Sequence, residues 1–234
     1  CPPPPAPFKG NCLIRDGPKL GGQVSRATLF ATVLLIPVAI VSLAGGAQAA
    51  ATAVSLGTAD SFVVLAGSGI TNTGPTTLNG DMGSYPTLTI TGSSSITITG
   101  TNQAGNAVTQ SAKTDLVTAY NSAAGQTPEI TVSGDLGGQT LVSGVYTSAS
   151  SLGLTGALTL DAANNSDAVF VFKAGSTLTT ASASTVNLIN GAQSCNVFWQ
   201  VGSSATLGTN STFRGTIIAL TSITLTTGVT VNGR

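Results

Sequence analysis

The sequence predicts a mostly β fold, a β-solenoid with one long α-helix packed along one wall. Three observations lead to this expectation. Short segments rich in Val, Ile, Thr and Phe are bounded by Gly, Asn, Asp and Ser, which is typical of strands and turns. The C-terminal half contains a loose repeat. A single segment in the middle of the chain has the periodicity of a helix.

The first fifth of the chain is set apart from this fold. Residues 27–44 form an apolar run that a charge precedes and small residues follow, an arrangement typical of a secretory signal peptide. We therefore expect residues 24–49 to be a signal peptide cleaved after Ala49. Residues 1–23, with a proline run and no apolar periodicity, are expected to be a non-native upstream or unstructured segment. A transmembrane anchor is the alternative for the apolar run.

Residues 50–234 are expected to form one domain with a very sparsely charged surface. They contain four Lys or Arg and seven Asp or Glu. This charge balance excludes the basic surface of an ordinary nucleic-acid binder. Because the apolar residues come in short runs separated by Thr, Ser, Gly and Asn, hydroxyls and amides must form the solvated surface.

The first element is a half-buried strand that recurs in the C-terminal half. In residues 177–180, 206–209 and 224–227, a leucine is flanked by Thr or Gly. Side chains of a strand alternate between its two faces. The leucines are therefore expected to lie inside the solenoid and their neighbours outside.

The second element is a strand that is apolar at successive positions, as in residues 169–172, 197–201 and 217–220. Both faces of such a strand must be shielded from water. Residues 110–124 have an apolar stripe at helical spacing, with Thr109 as a candidate cap. This helix is expected to cover the second kind of strand.

The N-terminal part of the domain contains segments similar to these two kinds of strand. Residues 62–65 are similar to a covered strand, and residues 71–78 to a threonine strand. These segments are expected to stack on the C-terminal coils, with residues 85–105 as a cap that closes one end.

Several segments of the domain match a known family. They are residues 55–59, 62–65, 80–83, 143–146, 158–161, 168–172, 192–202 and 231–234. These segments resemble the microbial ice-binding (antifreeze) protein family, formerly a domain of unknown function. The resemblance implies a right-handed, discontinuous β-solenoid with a side helix. Members usually continue past Asn-Gly-Arg with another strand, which implies that residues 50–234 lack the last coil.

The resemblance implies adsorption to ice crystals through a flat threonine-rich face, giving thermal hysteresis or recrystallisation inhibition. A threonine hydroxyl both donates and accepts hydrogen bonds, and β-branching restricts χ1. Threonines on adjacent strands lie roughly 4.8 Å apart and i, i+2 neighbours about 6.7 Å apart. Both distances are close to repeats of the ice surface.

The family is also described by a short pattern on its binding face, Thr-Ala/Gly-x-Thr/Asn. It implies these candidate ice-binding residues: Thr73, Thr76, Thr180, Thr209, Thr212, Thr227 and Thr230. Thr180 begins a copy that fails at its fourth position. Two residues at i and i+3 cannot share one face of an ideal strand, and threonine suits any exposed strand. A purely structural role is therefore the alternative.

We expect no enzymatic activity, no catalytic residue, no metal and no cofactor. The chain has no histidine, so a histidine-based triad or metal site is impossible. The expected partner is the surface of an ice crystal, with no nucleic acid and no membrane after signal cleavage. The protein is expected to be a secreted, extracellular monomer, with attachment to the cell surface left open. The alternative function is an extracellular adhesin or surface-structural solenoid that binds glycans or proteins.

Overall fold

The structure, a computed structural model, describes residues 51–234. The expected signal peptide, residues 24–49, and the segment 1–23 lie outside the described residues. Among residues 51–234, no helix combines the length and the apolar character that a membrane crossing requires.

The N-terminal part consists of short parallel strands that form three small sheets. The strands are β1 (Phe62–Ala66), β2 (Ile70–Thr71), β3 (Thr76–Leu78), β4 (Asp81–Ser84), β5 (Ile90–Thr91), β6 (Ile96–Ile98) and β7 (Asn102–Ala104). The sheets have the orders β1-β4-β7, β2-β5 and β3-β6. Short 3-10 helices span Gly57–Ser61 and Ser93–Ser95.

One N-terminal expectation was wrong. The threonine strand over residues 71–78 is divided into β2 and β3 by a turn in which Asn72 Nδ2 donates to Gly74 O over 2.7 Å. Pro75 follows and has no backbone N–H for a ladder. Residues 85–105, expected to be a cap, form β5, β6 and β7, which pair with β2, β3 and β4, with a register shift between β4 and β7. Each of these three strands lies at the end of its sheet, and the role of the segment as a cap stays a prediction.

One helix, α1 (Ala107–Ala124), follows these coils. It begins three residues earlier than predicted, because the cap is Asn106 rather than Thr109. The Asn106 side chain accepts a hydrogen bond from Thr109 N over 3.1 Å, which satisfies one free donor of the first turn. Gly125 is the C-cap.

The C-terminal part is a regular solenoid of parallel strands. They are β8 (Glu129–Thr131), β9 (Thr140–Val142), β10 (Gly144–Ser148), β11 (Leu152–Leu154), β12 (Ala157–Asp161), β13 (Phe170–Ala174), β14 (Leu178–Thr180), β15 (Thr185–Ile189), β16 (Val197–Val201), β17 (Ser204–Leu207), β18 (Thr212–Arg214), β19 (Thr216–Ala219), β20 (Ser222–Leu225) and β21 (Thr230–Asn232). A third 3-10 helix spans Ser194–Asn196.

Three walls enclose the core of this solenoid. The helix wall is the sheet β19-β16-β13-β10-β8, the hydroxyl wall is β11-β14-β17-β20, and the mixed wall is β21-β18-β15-β12-β9. All pairings are parallel. From β10 onward each coil contributes one strand to each wall in this order, whereas the first coil contributes β8, the single bridge Asp135–Gly153 and β9. This arrangement confirms the predicted β-solenoid.

Aromatic rings stack inside the solenoid, one from each successive coil. The centroids of Tyr146 and Phe172 are 5.4 Å apart, and those of Phe172 and Trp199 are 4.1 Å apart. All three side chains are buried, and Trp199 Nε1 donates to Arg214 O over 3.0 Å. The stack therefore adds aromatic contacts between successive coils.

The helix wall is shielded on its outer face by α1, as the sequence predicted. The outward side chains Val171 and Phe198 share a buried cluster with Ala112 and Ala119 of the helix. Alanine has only a methyl group, so the helix axis can lie close to the sheet. The apolar run of the covered strands therefore has buried partners on both faces.

Replacing Ala119 with leucine is expected to destabilise the protein by about 1–3 kcal/mol, because Ala119 is fully buried and the added atoms have no space. The measurement is the denaturant midpoint. The matched control is Val117→Leu, at a position 58 % exposed on the same helix, which should leave the midpoint almost unchanged. Equal midpoints for both variants would contradict close packing of the helix.

The coil formed by β19, β20 and β21 is joined to the N-terminal part through Arg234. Its Nε donates to Asp60 O over 2.8 Å, and its carbonyl accepts from Ile217 N over 2.7 Å. On β20, Ile223 and Leu225 are 45 and 50 % exposed, although they pair with the inward-facing Ala205 and Leu207. The expectation that a last coil is missing stays a prediction.

Candidate binding surface

The outer face of the hydroxyl wall is a grid of small, uncharged side chains. Its central row consists of Gly153, Thr179, Thr206 and Thr224, which pair across β11, β14, β17 and β20. The row before it consists of Ser151, Thr177, Ser204 and Ser222, and the row after it of Thr155, Ala181, Gly208 and Thr226. None of these twelve residues is charged.

The alternation of the strands produces this grid. On β14 and β17, Leu178 and Leu207 are fully buried, whereas their neighbours Thr179 and Thr206 face outward. Because the strands are parallel and in register, the same row recurs at each coil. The wall is therefore apolar inside and hydroxyl-rich outside.

Hydroxyl groups of the first row are bonded to one another across the strands. Ser151 Oγ and Thr177 Oγ1 are 2.8 Å apart, and Ser222 Oγ donates to Ser204 Oγ over 3.0 Å. These contacts restrict the rotamers of the four side chains.

The central row differs, because its hydroxyls have no such neighbours. Thr179, Thr206 and Thr224 make no side-chain hydrogen bond to another residue within 51–234. Their donors and acceptors are directed to solvent. The row therefore presents regularly spaced hydroxyls that are free to bind water.

The mixed wall has a different chemistry. It carries Asp161 and Arg214 at outward positions, together with Val142 and Ile189, which are 51 and 39 % exposed. Charged groups hold a strongly oriented hydration shell. Of the two walls that α1 leaves uncovered, the hydroxyl wall is the one that carries a neutral grid of small side chains.

The structure corrects the assignment of Thr180. This side chain is 3 % exposed and faces the interior, where its Oγ1 accepts a hydrogen bond from Gly208 N over 2.9 Å. It follows Thr179 directly in the strand, so the two side chains point to opposite faces. Thr180 is excluded from any exposed surface.

The other predicted residues lie at corners of the solenoid and on the mixed wall. Thr209 and Thr227 lie in the turns that leave the hydroxyl wall, whereas Thr212 and Thr230 pair with each other on the mixed wall. Asn210 and Gly228, the second residues of the two patterns, have φ of 58° and 73°. The pattern therefore crosses a corner, and its first and fourth residues do not share a wall.

In the N-terminal part, Thr73 and Thr76 likewise lie one in a turn and the other in the strand that follows it. Thr73 is exposed in the turn before β3, and Thr76 is the first residue of β3. Thr76 Oγ1 donates to Asn72 Oδ1 over 2.7 Å, which closes the turn. The structure thus does not bring the seven predicted residues together, and a role in binding stays a prediction for the six other than Thr180.

The motif-based prediction missed Thr179, Thr206 and Thr224. The signal that finds them is the alternation around the leucines, which places these threonines outside. This signal was present in the sequence, and the short pattern directed the assignment to the corners instead.

The acidic side chains stabilise turns. Asp135, beside the grid, accepts from Gly137 N and Thr155 N over 2.9 Å each, and these bonds hold the pKa of its carboxyl below the usual value. Asp161 accepts from Ala163 N and Asn190 Nδ2, which lowers its pKa in the same way. Within residues 51–234, no cluster of three His, Cys, Asp or Glu is suited to a metal ion.

These shifts determine the expected pH dependence of stability. The pKa of Asp115 is also lowered, by hydrogen bonds from the side chain and backbone of Thr58. A folded-state pKa below the unfolded value stabilises the protein above the unfolded pKa of about 4, and this stabilisation is lost as the pH falls through the folded pKa. We expect the melting temperature to be level from neutral to mildly acidic pH and to fall below about pH 4. A thermal melt series at constant ionic strength measures this.

The fold and the grid define a class of protein: a helix-flanked β-solenoid that presents a flat, repeating and uncharged surface. The family model described as Ice-binding-like matches residues 64–234. The chain belongs to this family, which confirms the resemblance found in the sequence.

Individual relatives agree with this assignment. The chain is 47 % identical over 201 residues to the ice-binding protein of Nostoc sp. (strain HG1). This match covers 86 % of this chain and 74 % of that protein. A crystal structure of an ice-binding protein from the Antarctic ascomycete Antarctomyces psychrotrophicus has a TM-score of 0.75 at 43 % identity, over 78 % of this chain and 90 % of that one. An ice-binding protein from an Antarctic biological consortium has a TM-score of 0.77 at 44 % identity, over 80 % and 86 % of the two chains.

Proposed function

We propose that the protein binds ice and that the hydroxyl wall is the surface that adsorbs to the crystal. The observation that carries the proposal is the central row, in which Thr179, Thr206 and Thr224 stack in register with free hydroxyls. Adsorption there gives thermal hysteresis or inhibits recrystallisation.

The physical argument begins from the order of ice. Water molecules in ice form a rigid repeating lattice, so a protein surface binds it well when its own groups repeat and do not move. The strands place threonines roughly 4.8 Å apart between coils and about 6.7 Å apart along a strand. Restricted χ1 rotamers and a fixed backbone mean that little conformational entropy is lost on adsorption.

Neutrality of the surface is the second requirement. Charged side chains hold water in orientations that a lattice cannot adopt, whereas a threonine offers one hydroxyl and one methyl group. The grid contains no charge, and Asp161 and Arg214 lie on the other uncovered wall. This difference favours the hydroxyl wall over the mixed wall.

The remaining features of the proposal follow from the same surface and from the family. We propose a non-enzymatic monomer that needs no cofactor and acts outside the cell, with the ice crystal as its partner. The relatives are ice-binding proteins, and no feature of the described residues favours an adhesin.

The test is direct observation of growing ice in the presence of the purified protein. We expect a gap between melting and freezing temperatures, faceted crystals, and fluorescence on the ice surface when the protein carries a dye. The protein unfolded by heat is the control. Unshaped discs of ice and an unlabelled surface at high protein concentration would contradict ice binding.

A further inference from the structure

The central row of the hydroxyl wall is interrupted at one end. Gly153 on β11 pairs with Thr179 on β14, so it occupies the position that threonine holds on the next three strands. Leu152 and Leu154 on either side of it are buried, which places position 153 on the outer face. The row therefore contains a gap where a hydroxyl and a methyl group are missing.

Packing does not require a glycine at this position. A Cβ atom at Gly153 would lie 3.4 Å from Gly134 O and 3.9 Å from both Cα and Oδ1 of Asp135, which are ordinary contact distances.

Gly208, the other glycine of the grid, is different. A Cβ atom there would lie 2.6 Å from the carbonyl carbon of Ala181, so the close approach of two backbones excludes a side chain. The gap at Gly208 follows from the fold, whereas the gap at Gly153 does not.

The position also marks the boundary of the neutral surface. Beyond Gly153 the next pairing partner is Asp135, whose carboxyl is exposed and ionised. Gly153 is thus the last place in the central row at which a threonine could extend the grid before a charge.

We propose that Gly153 limits the ice-binding area of the hydroxyl wall and thereby the activity of the protein, an inference that rests on the proposed function. Three threonines in register contact the lattice where the backbone has space for four. A threonine at position 153 adds one more lattice contact at the edge of an already rigid row.

The experiment compares Gly153→Thr with Ala157→Thr. Both positions lie in the same coil and face outward, but Ala157 is on the mixed wall, where it pairs with Thr185 and begins the row that continues to Thr212 and Thr230. Each variant therefore completes a row of four threonines, one on each wall. We expect thermal hysteresis at equal molar concentration to rise above the wild-type value for Gly153→Thr and to stay at that value for Ala157→Thr.

Melting temperatures are measured for both variants, and Gly153→Ser repeats the test with a smaller side chain. Unchanged or lower hysteresis in a folded Gly153→Thr or Gly153→Ser variant overturns the proposal, as does an equal rise in Ala157→Thr. If Gly153→Thr has no effect while a bulky substitution at Thr206 still removes the activity, the proposal that Gly153 limits the activity is refuted. The hydroxyl wall then still stands as the proposed ice-binding surface. If the wild-type protein itself fails to bind ice, the proposed function fails.

Discussion

Replacing Thr206 with tyrosine is expected to remove most of the thermal hysteresis while the fold stays intact. Thr206 lies in the interior of the grid, between Thr179 and Thr224 of the same row. A phenol ring there projects beyond the plane of the neighbouring hydroxyls and holds the ice lattice away from them. Because contact with a flat lattice requires all positions at once, one protruding group affects the whole wall.

Stability is expected to change little, since the Thr206 side chain faces solvent and makes no hydrogen bond to another residue within 51–234. Surface substitutions of this kind are usually within about 0.5 kcal/mol. Thermal hysteresis and the melting temperature are both measured on the purified variant.

The matched control is Thr159→Tyr on the mixed wall. Thr159 pairs with Thr140 and Asn187 and faces outward from the middle of β12. This variant is expected to keep its thermal hysteresis. The opposite result, with activity lost in Thr159→Tyr and kept in Thr206→Tyr, would assign ice binding to the mixed wall.

The sequence predicted the architecture because burial imposes simple periodicities. Strands such as Val197–Val201, apolar except at Gln200, require cover on both sides, and α1 was the one segment with a helical stripe to supply it. The helix begins at Ala107 rather than near residue 110, because the capping side chain of Asn106 lies before the apolar stripe.

The binding surface was harder to predict, because it depends on where the chain turns between walls. Thr209 and Thr212 are close in sequence, yet Asn210, with φ of 58°, directs them to different walls. A short motif contains no information on this change of direction. The alternation around Leu178 and Leu207 does contain such information, since a buried leucine fixes the outward direction of its neighbours.

Replacing Phe172 with alanine is expected to lower the free energy of unfolding by about 3–5 kcal/mol, a large part of the roughly 5–15 kcal/mol typical of a folded domain. Phe172 is fully buried and lies between the rings of Tyr146 and Trp199. The substitution leaves a cavity in the middle of the stack. Equilibrium unfolding in denaturant gives the change, with the exposed Val117→Ala as the control that should remain near the wild-type value.

The same substitution separates the stability of the coil from the chemistry of its surface. Phe172 lies on the helix wall and contributes no atom to the grid, so any loss of ice binding must arise through the shape or the folded fraction of the solenoid. Each coil of a solenoid contacts its neighbours, and a cavity in one coil is expected to loosen the next. If Phe172→Ala unfolds at lower denaturant but shapes ice normally while folded, the outer rows are held in register by the strand ladders. If ice shaping is lost in the folded variant, the aromatic stack is also needed to keep the hydroxyl wall flat.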